Sequence, residues 1–181
     1  YELNDEEDDI FNKTIDLIAN KFKYARYMPL LPEYYKGKID QLELQSQRNM
    51  GRFMKILLVK RLESSFFAFR NSVDRFLYSY EMFIKELDNG NVYVSKKHTN
   101  KIFELLENGD DEAVQRLIDE GKAERYESKD FRKEFKVDLQ HDHDILMEVK
   151  KLWQKVNRDP KLLKFTDELS KNTVLKDNHL I

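Results

Sequence analysis

The sequence contains no cysteine and few of the residues that interrupt helices. Among its 181 residues there are no Cys, five Gly and three Pro. Without cysteine the chain can form neither a disulfide framework nor a thiolate nucleophile, and this suits a reducing compartment. The scarcity of Gly and Pro, together with abundant Lys, Glu and Leu, favours long helices. We therefore expect a cytoplasmic protein that is mainly helical.

Long apolar runs are missing as well. No stretch approaches the roughly 20 apolar residues that a membrane-spanning helix needs, so we expect no membrane association. The first nine residues are acidic where a secretory signal would be basic, and the first residue is Tyr rather than Met. We expect the natural start to lie outside this sequence. Twelve Phe and nine Tyr argue against disorder, because disordered chains are poor in aromatic residues.

Charge of neither sign dominates the whole chain, but it is unevenly distributed. The formal net charge is −2, which predicts no strong affinity of the entire chain for nucleic acid. Residues 48–75, however, hold seven Lys or Arg against two acids, Glu63 and Asp74. A local basic strip of this kind can bind phosphates even when the total charge is near neutral.

Helical periodicity organises the first half of the sequence. Asn4 is followed by Asp5, Glu6 and Glu7 and is typical of an N-cap, so a helix is predicted from there to about Tyr27, before two prolines. Apolar residues then recur near a period of 3.6 from 39 to 87, which predicts a long helical region. The two positions at which the sequence suggests a break are Gly51 and Ser64-Ser65. The Asp-Asn-Gly-Asn sequence at 88–91 predicts a turn.

The second half contains shorter elements. Residues 92–95 are β-prone, residues 98–106 and 110–120 predict a small helical hairpin, and residues 122–131 are expected to be extended. An amphipathic helix is predicted over 135–156, and Asp159-Pro160 has the N-cap and N1 residues of another helix. The predicted fold class is all-α or mainly α, with long antiparallel helices and a helical hairpin insertion at about 90–135. This fold class leaves room for a minor short β element.

Two segments carry a resemblance to a known family. The segment from Leu57 to Arg70, reading LLVKRLESSFFAFR, resembles a block that follows the first ATPase lobe in bacterial Swi/Snf-like superfamily II helicases. Its Lys-Arg-Leu-Glu-Ser-Ser core at 60–65 is the most specific part. The segment Asp-Pro-Lys-Leu at 159–162 is similar to the start of the second lobe. The two matches have the family's order and cover about a fifth of the chain.

The resemblance implies a parent protein that hydrolyses ATP with magnesium and acts on DNA. Residues 1–158 would form a helical inter-lobe domain, residues 159–181 would begin the second ATPase lobe, and the partners would be the flanking lobes of the same chain. A phosphate-binding loop needs several glycines close together, and five scattered glycines cannot supply one. We therefore expect a non-catalytic fragment with no catalytic, cofactor-binding or metal-binding residues of its own.

Five basic residues are candidates for contact with nucleic acid. Arg48, Arg52 and Lys55 are spaced i, i+4 and i+7, so they share one helix face and could neutralise phosphates along a duplex. Lys60 and Arg61 are adjacent and must point in different directions. One of them could pair with a carboxylate of an adjoining lobe and the other could face nucleic acid or water. The alternative for all five is a solvated helix face.

Two further groups have alternative interpretations. The sequence His-Asp-His-Asp at 141–144, with Asp138, suggests a metal site. His141 and His143 lie about 200° apart on a helix and cannot bind one ion together, so we expect a polar outer face instead. Phe66, Phe67 and Phe69 are expected in the core rather than as a stacking platform for single strands. For the whole chain, a helical adaptor that recruits a partner through residues 90–135 remains a second hypothesis, and an independent hydrolase remains a third.

Overall fold

The computed structural model describes residues 3–95, 123–156 and 158–171. Within these ranges the chain is mainly helical, which confirms the predicted fold class. The elements are α1 (Asp5–Asp16), α2 (Gln41–Ser64), α3 (Phe66–Asp88), β1 (Asn91–Ser95), β2 (Ala123–Glu127), α4 (Lys133–Trp153) and α5 (Pro160–Lys171). The helical hairpin predicted at 98–106 and 110–120 lies outside the described residues.

The chain divides into two compact units. Unit 1 comprises Tyr1–Phe22, Lys55–Leu77 and Asp144–Ile181, and unit 2 comprises Lys23–Met54 and Tyr78–His143. Helices α2, α3 and α4 each contribute one part to each unit. The division into residues 1–158 and 159–181 that the resemblance implies stays a prediction.

The first helix begins as predicted but ends early. Asn4 and Glu7 form a capping box, in which each side chain accepts a hydrogen bond from the other residue's backbone N–H. After Asp16 the chain continues as one π-helical turn, Leu17–Lys21, and Tyr24 adopts a left-handed conformation with φ 59°. The prediction that this helix reaches Tyr27 is therefore wrong. The two prolines were not needed to stop it.

The long helical region breaks at Ser65 and not at Gly51. Gly51 lies inside α2 and is buried. A Cβ at this position would stand 2.3 Å from the sulfur of Met28, so in unit 2 the missing side chain lets the loop before α2 pack directly on the helix. The same loop buries Leu30 and Leu31, so this apolar, proline-containing segment is packed.

The core of unit 1 surrounds Trp153. The rings of Phe66 and Phe69 meet the indole edge-on, at centroid distances of 4.6 and 5.4 Å. The indole Nε1–H donates to Thr14 Oγ1 at 2.8 Å, and the threonine hydroxyl donates to the Ile10 carbonyl. Every polar atom of this buried pair therefore has a partner, and α1 and α4 are joined through it. Phe67, in contrast, is exposed, so its predicted core placement is wrong.

The core of unit 2 combines the strand pair with an aromatic cluster. β1 and β2 are antiparallel, with Val92 opposite Tyr126 and Val94 opposite Glu124. Both valines are buried, as alternation along a strand requires. Phe135, at the start of α4, contacts three aromatic rings, those of Tyr34, Phe83 and Phe131. The predicted turn before β1 is present, with Gly90 at φ 92°.

Candidate functional site

In unit 1 the segment 57–70 contacts the segment 159–162 through a hydrogen bond between Ser65 and Asp159. Ser65 lies in the break between α2 and α3 and caps the N-terminus of α3, since its hydroxyl accepts a hydrogen bond from the Ala68 N–H. The Ser65 hydroxyl itself donates to Asp159 Oδ2 at 2.9 Å. The same carboxylate oxygen accepts from the backbone N–H groups of Phe66 and Phe67, at 2.9 and 3.4 Å.

Asp159 also caps its own helix. Its Oδ1 accepts from the Leu162 N–H at 3.3 Å, and its backbone carbonyl accepts from the Leu163 N–H at 3.0 Å. The predicted N-cap at Asp159 and N1 proline at Pro160 are confirmed. One carboxylate therefore serves the positive ends of two helices, α3 and α5. We call the contact of Ser65 with Asp159 and these N–H groups the Ser65–Asp159 junction.

The junction favours the ionised carboxylate. Burial opposes ionisation of Asp159, but the hydrogen bond from Ser65 and those from three backbone N–H groups outweigh it, so the pKa of Asp159 is lowered. A protonated carboxyl would place a further hydrogen beside the O–H and N–H donors that already point at its oxygens, which is unfavourable. The junction is therefore a structural anion site that its own chain occupies.

Side chains on either side of the junction reinforce it. Arg70 of α3 donates to the Val156 carbonyl at 2.9 Å, and the Lys161 ammonium donates to the Glu63 carbonyl at the end of α2. Both carbonyls lie at or beyond a helix end, where backbone acceptors lack intrahelical partners. The chain on both sides of Asp159 is thus held to α2 and α3.

An ion pair ties the same segment to α1. Arg158 makes two hydrogen bonds to the Glu7 carboxylate, at 2.5 and 2.7 Å. The hydrogen bond from Arg158 is the main cause of a lowered pKa of Glu7, against the opposing effect of burial. Glu7 also belongs to the capping box of α1, so its ion pair with Arg158 ties the segment before α5 to the start of the first helix.

All five basic candidates lie on α2, but the structure places them differently. In unit 2, Arg48 and Arg52 are exposed. In unit 1, Lys55 is half-buried, Lys60 is exposed and Arg61 is half-buried. The difference between the last two residues confirms that neighbouring cations on this helix point in different directions. Arg61 already has an interaction partner within the chain. The exposed candidates are therefore Arg48, Arg52 and Lys60.

The acidic residue that sequence reasoning missed is Asp142. In unit 2 its carboxylate is fully buried and accepts from the Lys23 N–H at 2.6 Å, the Ala25 N–H at 2.9 Å and the Tyr80 hydroxyl at 2.9 Å. Burial is the main cause of a pKa raised to about 6, opposed by these hydrogen bonds. The expectation of a polar outer face is wrong at this position, since the carboxylate is buried. Its hydrogen bonds hold the turn after the π-helical segment in place.

Asp138, one helical turn earlier, has a similar role. It accepts from the Lys23 ammonium at 2.7 Å and from the Tyr34 hydroxyl at 2.9 Å. Both carboxylates that could have joined a metal site with His141 are thus engaged by donors of the protein itself. Among the described residues, no group of three or more His, Cys, Asp or Glu could hold a metal ion.

The comparisons with known proteins identify no relative of this chain. No protein-family model matches the chain, and neither the curated proteins nor the solved structures contain a match. In the described part of the chain, none of the helices has the length and apolar character to cross a bilayer.

Proposed function

We propose that this chain is a non-catalytic helical segment of an ATP-dependent nucleic-acid translocase of the Swi/Snf-like type. In this role it spaces the two ATPase lobes and holds the start of the second. The observation that carries the proposal is the Ser65–Asp159 junction. The two segments that resemble the family are far apart in sequence, and in unit 1 they form one hydrogen-bonded unit.

The junction suits a rigid spacer on physical grounds. A segment that transmits force between motor lobes must not bend where one helix ends and the next begins. Here the break at Ser65 and the start of α5 share a carboxylate, and Arg70, Lys161 and the Arg158–Glu7 pair surround it. Such multiply bonded helix ends resist fraying more than singly capped ones do.

The second part of the proposal is contact between the exposed face of α2 and a nucleic-acid backbone. Arg48 and Arg52 are one turn apart and exposed in unit 2. Guanidinium groups bind phosphate oxygens in a bidentate manner, and this binding carries no sequence information. We expect affinity that is largely independent of sequence and falls steeply with salt.

Titration of the chain with labelled duplex and single strands at two salt concentrations tests this part. The double variant Arg48→Glu/Arg52→Glu should bind at least about tenfold more weakly, and the salt dependence should lose roughly one phosphate contact per residue. The matched control is Lys133→Glu/Lys164→Glu, which changes the net charge equally at exposed positions on α4 and α5. It should leave the affinity within about twofold of the wild type.

Equal losses in the two double variants would mean that net charge alone governs binding. No binding by the wild-type chain would contradict the nucleic-acid contact and favour the adaptor hypothesis. The family assignment has its own test, the coding sequence on either side of this segment. A phosphate-binding loop upstream and an arginine-containing motor motif downstream are expected, and a gene without them would contradict the assignment.

A further inference from the structure

One face of helix α5 in unit 1 is left uncovered by the residues that the structure describes. Pro160 is buried, but every residue from Leu162 to Lys171 is exposed. Among the described residues, the hydrogen bonds that hold α5 to the rest of unit 1 lie at the Ser65–Asp159 junction and at Lys161, so they all belong to its start. A helix of 12 residues is only marginally stable in water unless its apolar face is packed. The stability of α5 therefore calls for a partner.

The apolar residues of α5 form a stripe on its outer side. Leu162, Phe165 and Leu169 follow one another at i, i+3 and i+7, and their exposed fractions are 57%, 60% and 39%. Successive residues turn by about 100° around a helix, so Leu169 lies opposite the buried Pro160 and the stripe points away from unit 1. Unlike a single exposed leucine, a contiguous apolar stripe is typical of an interaction surface. We call these three residues the α5 stripe.

The charges along one edge of the α5 stripe are self-complementary. Lys161 and Glu168 are seven residues apart, so they lie within about 20° of each other around the helix and both flank the stripe on the side of Phe165. When two such helices pack antiparallel, the same edge of each helix meets, and Lys161 faces the second copy's Glu168. A two-fold axis repeats this pair with the roles exchanged. This pattern favours a second copy of the chain as the partner.

We propose that the α5 stripe docks antiparallel on the α5 stripe of a second copy of this chain. Pairing of Lys161 with the second copy's Glu168 puts the two-fold axis beside Phe165, so the two Phe165 rings meet there. Leu162 then packs between the second copy's Phe165 and Leu169. The stripe and its flanking side chains cover on the order of 500 Å² per copy, which is typical of weak contacts, so we expect a dimer that forms as the concentration rises. This inference does not rest on the proposed function.

The molar mass of the chain in solution tests the proposal. Sedimentation equilibrium over a wide range of protein concentrations should show the mass of one copy at the lowest concentrations and approach that of two copies at the highest. Phe165→Glu puts a charge at the centre of the contact and should weaken association at least about tenfold. The matched control is Tyr78→Glu on α3 in unit 2, which replaces an aromatic ring of similar exposure, 66%, with the same acid. It should leave association within about twofold of the wild type.

Two charge reversals test the antiparallel arrangement. Glu168→Lys and Lys161→Glu each place like charges opposite one another twice in a dimer, so each variant alone should associate about three- to tenfold more weakly. An equimolar mixture of the two variants should recover association, because each pair then joins a lysine to a glutamate. Lys161 also bonds the Glu63 carbonyl, so circular dichroism must confirm that Lys161→Glu folds. If it does not fold, Phe165→Glu and Glu168→Lys still decide the outcome.

A wild-type chain that stays monomeric at every concentration would overturn the proposal and leave the α5 stripe to the second lobe of the proposed function. Association that Phe165→Glu leaves unchanged would also overturn it, because the copies would then meet through another surface. A mixture of folded charge variants that associates no better than either variant alone would exclude the antiparallel pairing.

Discussion

Ser65 and Asp159 are 94 residues apart in the chain, and the Ser65 hydroxyl donates a 2.9 Å hydrogen bond to the Asp159 carboxylate. This carboxylate also accepts backbone N–H groups at the start of α3 and of α5. The consequence is that two helix ends depend on a single side chain, and this makes Asp159 the most informative position for mutation in unit 1.

Replacing Asp159 by Asn should lower the free energy of unfolding by about 1–3 kcal/mol, because the amide removes the charge and keeps only one accepting oxygen, so the N–H donors of either α3 or α5 lose their acceptor. Urea denaturation measures this. The control is Asp167→Asn on α5, where the carboxylate makes an exposed ion pair with Lys171, and a change below about 0.5 kcal/mol is expected. Equal losses for both variants would show that the junction has no special importance.

The advantage of wild type over Asp159→Asn should also depend on pH. The pKa of Asp159 is lowered in the folded state, so its stabilising contribution is complete above its ordinary pKa and is lost as the pH falls through the lowered value. Denaturation midpoints measured across the acid range should therefore converge at the lowest pH. Curves that stay parallel would contradict the lowered pKa.

The contribution of Asp142 to stability should depend on pH with the opposite sign. Its pKa is raised from 3.8 to about 6, so the folded state binds a proton more readily than the unfolded state. Its contribution to stability is complete below pH 3.8 and is lost as the pH rises through about 6. The stability of wild type relative to Asp142→Asn should fall over this range of rising pH, as thermal unfolding of both proteins would measure. A difference that rises with pH would refute the raised pKa.

Mutations at Gly51 and Met28 should have coupled effects on the free energy of unfolding. A Cβ at residue 51 would stand 2.3 Å from the Met28 sulfur, so Gly51→Ala should destabilise the protein by about 1–3 kcal/mol. In a Met28→Ala background the same change should stabilise by up to about 1 kcal/mol, because alanine is the better helix former. A double-mutant cycle by chemical denaturation measures the coupling. Additive effects would show that the methionine moves aside without cost.

Mutations of the adjacent residues Lys60 and Arg61 should change the free energy of unfolding by different amounts. Lys60 is exposed, so Lys60→Gln should change the free energy of unfolding by less than about 0.5 kcal/mol. Arg61 is half-buried and has a partner within the chain, so Arg61→Gln should cost about 1–2 kcal/mol. Urea denaturation of both variants and the wild type measures these two changes in the free energy of unfolding. If either variant weakens nucleic-acid binding without loss of stability, we expect it to be Lys60→Gln.

Features that depend on neighbours in sequence were predictable. Asn4 as an N-cap, the turn at Gly90 and the start of α5 at Pro160 all follow from local backbone chemistry. The segment predicted to be extended at 122–131 forms β2 over Ala123–Glu127, but Ser128–Asp130 is a 3-10 turn, so the prediction is wrong for those three residues. The mainly helical fold follows from apolar periodicity, which reports which face of each helix is buried.

Features that depend on distant partners were not predictable in the same way. The carboxylate that joins α3 to α5 has its donors at the start of α3 more than ninety positions away, and nothing in the local sequence identifies them. Asp142 did leave a signal. It occupies a position in the apolar stripe of α4 that continues through Leu139, Leu146, Val149 and Trp153, where an acid must find buried donors. Composition around it, rich in His and Asp, concealed this periodicity.

The strand pair of unit 2 has a consequence for the length of the protein. Ser95 ends β1 directly opposite Ala123, where β2 begins, so the polypeptide between them departs and returns at adjacent points. Cα atoms paired across an antiparallel ladder are only about 5 Å apart. A tight turn in place of residues 96–122 would therefore join Ser95 to Ala123 without stretching either strand.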